Sequence, residues 1–437
     1  MKVVVGVVAG VSSPGTDAPT PKRKAEVKRK HTVGRVVLVS SLVLALVTGL
    51  GVVFLYRHLN GNLNVADVTA ALGDDRPEKV YKGNGEPLNI LVMGDDTRTG
   101  EGNAIDNEAG GGGSDTTILV HLSADRSRAY AISIPRDSIV DRPDCGEDDE
   151  IAGGTEVMWN QAYAIGGAAC TMRQLEAETG IFIDHYVVVD FNGFKDMVDA
   201  VGGVPVCIPE DIDDPGHDIF IDAGDPNVLE GGEALDYVRV RYYGAEKSDI
   251  SRIKRQQNFI AALVNKVKSA GTLTRLDKVV SFLDAATRSL TLDPGLGSLT
   301  RIGKIAMQLQ SIGLDRVQFV TAPNAYYPRD SPFFGRVYWT DEADELWQKI
   351  KLDQPLSRAL TSGSITAAQP PGAETPTPSE TDTASPSETP SETDTTSPSE
   401  TPSETDTASP SQTPSETPSP EDAAARAEDA AKAGLCA

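Results

Sequence analysis

Leu88-Asn-Ile-Leu-Val-Met-Gly-Asp-Asp96 is a short apolar run ended by a glycine and two acids. It is too short for a helix of ordinary length and rich in strand-favouring side chains, so it reads as a buried strand over Leu88–Met93. Two further runs, Thr116–Leu122 and Ala129–Ile134, follow the same rule, and only Ser123-Ala-Asp-Arg-Ser-Arg128 joins them. A six-residue link fits an antiparallel hairpin. Further strand candidates are Tyr186–Phe191, Val204–Ile208, Tyr237–Arg241 and Arg316–Thr321. Between them fall helical patterns at Asn160–Thr179, Gly193–Val201, Ser248–Ser269, Thr272–Ser289, Leu299–Ile312 and Asp341–Lys351. In the Ser248 helix, Ile253, Ile260, Val264 and Val267 form one apolar stripe. Interleaved strands and helices with one hairpin predict an α/β fold, a mixed β-sheet covered by helices on both faces.

This core, residues 86–356, is flanked by segments of different composition. Val36–Tyr56 carries 21 uncharged residues between Arg35 and Arg57. At 1.5 Å per residue it spans roughly 31 Å, about one hydrocarbon core, and predicts a transmembrane helix. Lys22, Arg23, Lys24, Lys28, Arg29 and Lys30 lie upstream, whereas acids follow Arg57. That asymmetry predicts a single-pass protein of the cell membrane with a cytoplasmic N-terminus (residues 1–35) and an extracellular core domain. Residues 57–85 read as a juxtamembrane linker. Residues 357–437 read as a disordered tail rich in Ser, Thr, Pro and Glu, with a twelve-residue repeat starting at Ser379, Ser391 and Ser403. Of the formal net charge of -24, half lies beyond Thr361, where fourteen acids face only Arg426 and Lys432. An acidic chain of this kind argues against nucleic acid as a partner.

Acids and arginines cluster at the ends of these elements. Asp95 and Asp96 close the first strand, and Asp115 opens the next after Gly110–Gly113. If those strands are neighbours, Asp96 and Asp115 can share a cation; oxygen ligands without His or Cys favour Mg²⁺. Arg136, in Ser133-Ile-Pro-Arg-Asp137, projects past a strand end. On a strand, Arg239 and Arg241 would share one face about 7 Å apart and straddle a diphosphate. Ser248 fits an N-cap, and Asp249, Arg252 and Gln256 lie on one side of the helix start, which favours phosphate. Each motif alone also fits a capped turn or a solvated ion pair. Together they describe a site for a diphosphate with a divalent cation.

In this order the motifs resemble the LytR–CpsA–Psr family of cell-wall glycopolymer ligases, over roughly Glu86–Leu356. Trp159-Asn-Gln-Ala-Tyr-Ala-Ile-Gly-Gly167, Ile183-Asp-His-Tyr186, Phe191-Asn-Gly-Phe194 and Leu229-Glu-Gly-Gly-Glu-Ala-Leu235 extend the likeness. The resemblance implies Asp96 and Asp115 as the metal pair and ranks Asp95 lower. It implies catalytic roles for Arg136, Arg239, Arg241, Asp249 and Arg252, and substrate contacts from Arg98, Arg255 and Gln256. Gly113 stands where the family commonly has an arginine, so one phosphate contact is either missing or supplied by Arg98 from the preceding loop.

The implied activity is a Mg²⁺-dependent phosphotransferase. It moves a glycopolymer from a polyprenyl-diphosphate carrier onto peptidoglycan, with polyprenyl-diphosphate pyrophosphatase action as a side reaction. The same chemistry on a glycosylated surface protein is one alternative; a noncatalytic wall-binding or regulatory protein is another. An exported domain permits disulfides. Cys145 and Cys170 flank the segment leading into the Asn160 helix and are the favoured pair, with Cys207 left as a buried thiol; sequence alone does not fix the pairing.

Overall fold

The computed structural model describes residues 32–81, 83–95, 113–241, 243–244, 248–268, 275–368, 370, 427–428 and 430–436. Residues 1–55 and 56–437 form two units. The apolar run lies in a helix, Thr32–Gly61, long and apolar enough to cross a membrane.

In the second unit an eight-stranded sheet has the order Asn64–Val65, Leu290–Leu292, His185–Asp190, Leu88–Asp95, Ser114–Leu122, Ala129–Ile134, Val317–Thr321, Ile365–Thr366. Ser114–Leu122 runs antiparallel to both neighbours, whereas Leu88–Asp95 pairs in parallel with His185–Asp190 and Ala129–Ile134 with Val317–Thr321. The sheet is therefore mixed, as the short hairpin link implies.

Strand periodicity divides the core into two layers. Leu91, Met93, Leu119, Ile132 and Val188 pack with Leu175 of the Gln161–Thr179 helix and with Leu346 and Trp347 of Asp341–Lys351. Ile118 and Ala131, from the opposite face, pack with Val198, Tyr237 and Phe259 of the Phe191–Val201, Gly231–Arg239 and Asp249–Lys268 helices. Helices cover both faces, which is why the central strands are apolar at nearly every position rather than at alternate ones.

Three expectations change: two segments placed outside the core join the sheet, one strand is a helix end, and one cysteine is paired. Asn64–Val65, in the expected linker, is the first strand of the sheet, and Ile365–Thr366, in the expected tail, is the last. The predicted strand Tyr237–Arg241 is instead the end of the Gly231–Arg239 helix. The four residues Val238–Arg241 alternate apolar and basic and fit period 2, but Ala234, Leu235 and Tyr237 are the buried helical set. The third change is Cys207, which is not a thiol but is bonded to Cys436. Ala433 and Leu435 are buried in the same cluster as Ile208 and Tyr243, bringing the chain's last residues onto the core. Most of the predicted disordered tail, residues 371–426, lies outside the described residues.

The favoured pair Cys145–Cys170 is present, with Cα atoms 5.3 Å apart. The backbone departs from helical geometry at Gly166 and Gly167. A Cβ on Gly166 would lie 1.9 Å from Cys170 Sγ, so only glycine lets the chain pass the disulfide.

Candidate active site

The hairpin register places the first acid and arginine. Thr117 pairs with Ile134, and extending that antiparallel register two residues outward sets Asp115 opposite Arg136. Pro135, which has no N–H to donate, ends the ladder. Arg136 Nη1 donates to Asp115 Oδ1 at 2.5 Å, and its Nε donates to Asp249 Oδ1 at 3.1 Å.

Asp249 is delivered by the start of the Asp249–Lys268 helix. Ser248 caps this helix, its Oγ accepting from the Ser251 amide at 3.1 Å. Two turns later Gln257 Nε2 donates to Ser133 Oγ and Thr321 Oγ1, both at 3.0 Å, pinning the helix over two adjacent strand ends. Arg252, three residues after Asp249, donates to Asp249 Oδ1 at 2.5 Å and lies 3.5 Å from Asp115 Oδ2. Arg241 Nη2 approaches the same oxygen at 3.8 Å.

Three guanidinium groups thus surround two carboxylates. Burial pushes the Asp115 carboxyl up, but Arg252 and Arg136 outweigh burial and hold its pKa at about 2. Arg136 and Arg252 share these acids yet shift in opposite directions. For Arg136, burial is outweighed by Asp115 and Asp249, so its pKa rises. For Arg252, with a side chain only 2% exposed, burial dominates and the pKa falls; Arg136 and Arg241 add repulsion. Asp249 Oδ2 and Arg252 Nε are buried without a hydrogen-bond partner among the described residues. One positive charge in excess and unused hydrogen-bonding capacity suit an incoming oxyanion.

A family profile places this geometry among known proteins: residues 55–352 match the LytR_cpsA_psr family. The chain belongs to the LytR_cpsA_psr family. It is 33% identical over 338 residues to the cell wall biosynthesis protein LcpA of Corynebacterium glutamicum, which covers 70% of this chain and 62% of the relative. It is 32% identical over 254 residues to the polyisoprenyl-teichoic acid–peptidoglycan teichoic acid transferase TagV of Bacillus subtilis, covering 56% of this chain and 60% of the relative. The matched region thus spans about three-fifths of the length of these two relatives. Among solved structures, a LytR-Csp2A-Psr enzyme from Actinomyces oris aligns with a TM-score of 0.51 at 18% identity, covering 66% of this chain and 96% of that one, a likeness of fold.

Within this LytR_cpsA_psr domain the predicted residues separate. Arg136, Arg241, Asp249, Arg252 and Asp115 converge. Arg239 does not share a strand face with Arg241: it ends a helix, its guanidinium 5.2 Å from the centre of the Phe191 ring. Arg255 lies apart from this cluster. It is fully buried and donates to the carbonyls of Val240, Tyr243 and Ala433. Gln256 likewise donates to the Val238 carbonyl. The two side chains tie their helix to the segment that carries Arg241. Asp96 and Arg98 lie outside the described residues.

Tyr163 was not singled out by the sequence. Burial and its hydrogen bond to Asp95 raise its hydroxyl pKa, so Tyr163 fixes the acid next to Asp96. Its place in the Trp159–Gly167 word was the available signal. Gly113, where an arginine was expected, has no atom within 4 Å of an added Cβ among the described residues.

Proposed function

We propose that this chain is a membrane-anchored phosphotransferase that moves a glycopolymer from a polyprenyl diphosphate to a hydroxyl of a cell-wall acceptor such as peptidoglycan. The observation that carries this reading is the convergence of Arg136, Arg241 and Arg252 on the single carboxylate of Asp115 at the end of a central strand. A cluster with surplus positive charge and few other partners is built for phosphate oxygens. The similarity to TagV, a polyisoprenyl-teichoic acid–peptidoglycan teichoic acid transferase, supports the same chemistry.

The acceptor oxygen bonds to the sugar-side phosphorus. The bond from that phosphorus to the bridging oxygen breaks, and polyprenyl phosphate leaves with the electron pair. Asp249, whose Oδ2 has no partner among the described residues, takes the hydroxyl proton. Arg136, Arg241 and Arg252 hold the non-bridging and leaving oxygens as charge grows there, each bond contributing about 1.5–3 kcal/mol. Water in place of the acceptor hydroxyl gives the pyrophosphatase side reaction.

Asp115, with Asp96, would hold Mg²⁺. Asp115 fits this role because it stays ionised and its Oδ2 has only the long contacts of 3.5 and 3.8 Å. Three nearby guanidiniums oppose a bare cation, so these residues fit the ion best together with an anionic diphosphate. When bound, the ion would neutralise phosphate charge.

Basic residues before Val36 and acids after Arg57 support a cytoplasmic N-terminus and an extracellular catalytic domain. The test is to incubate the full-length chain with lipid-diphosphate glycan, peptidoglycan and Mg²⁺. A phosphodiester-linked product is expected; binding of both substrates without turnover would leave a wall-binding protein instead.

A further inference from the structure

Beside the arginine cluster lies a second feature, a cleft of about 540 Å³ bordered by Pro135, Asp137, Asp249, Tyr326 and Phe334. Its outer wall is the turn between Asn324–Tyr326 and Val337–Trp339, which pair antiparallel. That wall is held firmly. Arg336 Nη1 donates to Asp137 Oδ1 at 2.6 Å, the Val337 amide to the Asp137 carbonyl at 3.2 Å, and Trp339 Nε1 to Ser138 Oγ at 3.1 Å. Tyr327 is clamped between Phe333 and Tyr338, with ring centres 5.2 and 5.0 Å away. Yet on this anchored turn Tyr326 remains 49% exposed and Phe334 61% exposed. Large aromatic faces kept in water on a fixed scaffold, next to a reaction centre, mark a ligand surface.

The lining identifies the ligand class. Among the described residues no lysine or arginine lines the cleft, and the nearby Arg336 is engaged by Asp137, so a second phosphate would find no cationic partner there. A polyprenyl chain would desolvate both carboxylates without pairing them. A sugar strand meets all three conditions: its C–H faces stack on aromatic rings, its hydroxyls donate to carboxylates, and it carries no phosphate. Because Asp249 borders the cleft on one side and holds Arg136 and Arg252 on the other, a hydroxyl in the cleft enters opposite the diphosphate-binding arginines.

We infer that this cleft is the acceptor subsite, which holds a neutral hexosamine-containing glycan by stacking on Tyr326 and Phe334 and presents its hydroxyl at Asp249. The inference rests on the proposed transfer activity for the direction of reaction, but not for sugar binding itself.

The test uses the full-length chain in detergent with chitotetraose, a β-linked N-acetylglucosamine tetramer, as probe. Calorimetric titration should show saturable binding. Phe334→Ala and Tyr326→Ala should each weaken it about ten-fold, whereas Phe334→Trp should retain it. In transfer assays the same alanine variants should raise the acceptor KM about as much with little change in kcat, and leave the thermal shift caused by polyprenyl diphosphate intact. If wild type transfers glycan and the alanine variants keep its acceptor KM, the cleft assignment is wrong and the transferase reading stands. If no transfer or donor cleavage occurs but chitotetraose still binds and the variants lose it, the transferase reading fails and the subsite stands. Loss of the donor-induced thermal shift in Phe334→Ala would assign the cleft to the donor and overturn the inference.

Discussion

Replacing Asp115 with Asn isolates the charge that balances three arginines while keeping the side-chain shape. The carboxyl titrates near 3.8 when unperturbed and about 2 in the fold. That difference corresponds to about 2.5 kcal/mol of folding stability at pH 7. Its side chain is 19% exposed, so solvent removes little of this. The sign follows from a depressed folded pKa: the stabilisation is complete above the unfolded value and fades as pH falls toward 2. Wild type and Asp115→Asn should therefore differ by about 2.5 kcal/mol at pH 7 and by roughly half that at pH 3. Urea denaturation of the full-length protein in detergent, at both pH values, measures the gap. A gap that does not shrink with pH would mean that the substitution disturbs packing rather than charge, and the electrostatic account would be wrong. Pyrophosphate supplies a second arm. With the competing carboxylate removed and no Mg²⁺ present, Arg136 and Arg252 should bind pyrophosphate as tightly as in wild type or more so, although glycan transfer is lost. Weaker binding there would refute the idea that Asp115 shares its arginines with phosphate.

Arg252→Lys keeps a charge but loses the fork between Asp249 and Asp115, so turnover should fall about 100-fold and stability should also drop, because the side chain is buried. Arg255→Ala should lower stability by about 2–4 kcal/mol by stranding three backbone carbonyls, with the donor affinity of the folded fraction unchanged; a selective loss of donor binding in a stable variant would restore it as a substrate ligand. Cys436→Ser should cost about 2–5 kcal/mol, read by urea denaturation, since the bridge spans 229 residues; an unchanged midpoint would show that the C-terminus is not held there. Asp96→Ala and chelation of Mg²⁺ should abolish transfer to the same extent and show no additivity when combined; full activity after either would remove the metal from the reaction.

Local sequence pattern marked most of the strands and helices and the acids and arginines at their ends. The apolar runs at Leu88, Thr116 and Ala129 fixed three central strands because sheets buried on both faces tolerate little else. The six-residue link also fixed an antiparallel pair, and with it the meeting of Asp115 and Arg136. Val36–Tyr56 declared itself by length and lack of charge, and Ser248 by the capping demand of the helix it starts.

Other outcomes depended on contacts far apart in the chain. Alternation over Val238–Arg241 satisfied a strand period, whereas Tyr237–Arg239 ends a helix that packs Tyr237 beside Phe259. Arg252 and Arg255 are three residues apart in one helix, and sequence gave both to the substrate. Burial direction separated them: Arg252 turns to Asp115 and Asp249, Arg255 to carbonyls that include that of Ala433, 178 residues away. Cys207 met Cys436 for the same reason, since Ala433 and Leu435 had apolar surface to bury beside Ile208. The aromatic cleft combines side chains near Pro135, Asp249 and Phe334. Local pattern governs what a segment can form, but which of its side chains reach the site is set by three-dimensional packing, which no single window of sequence contains.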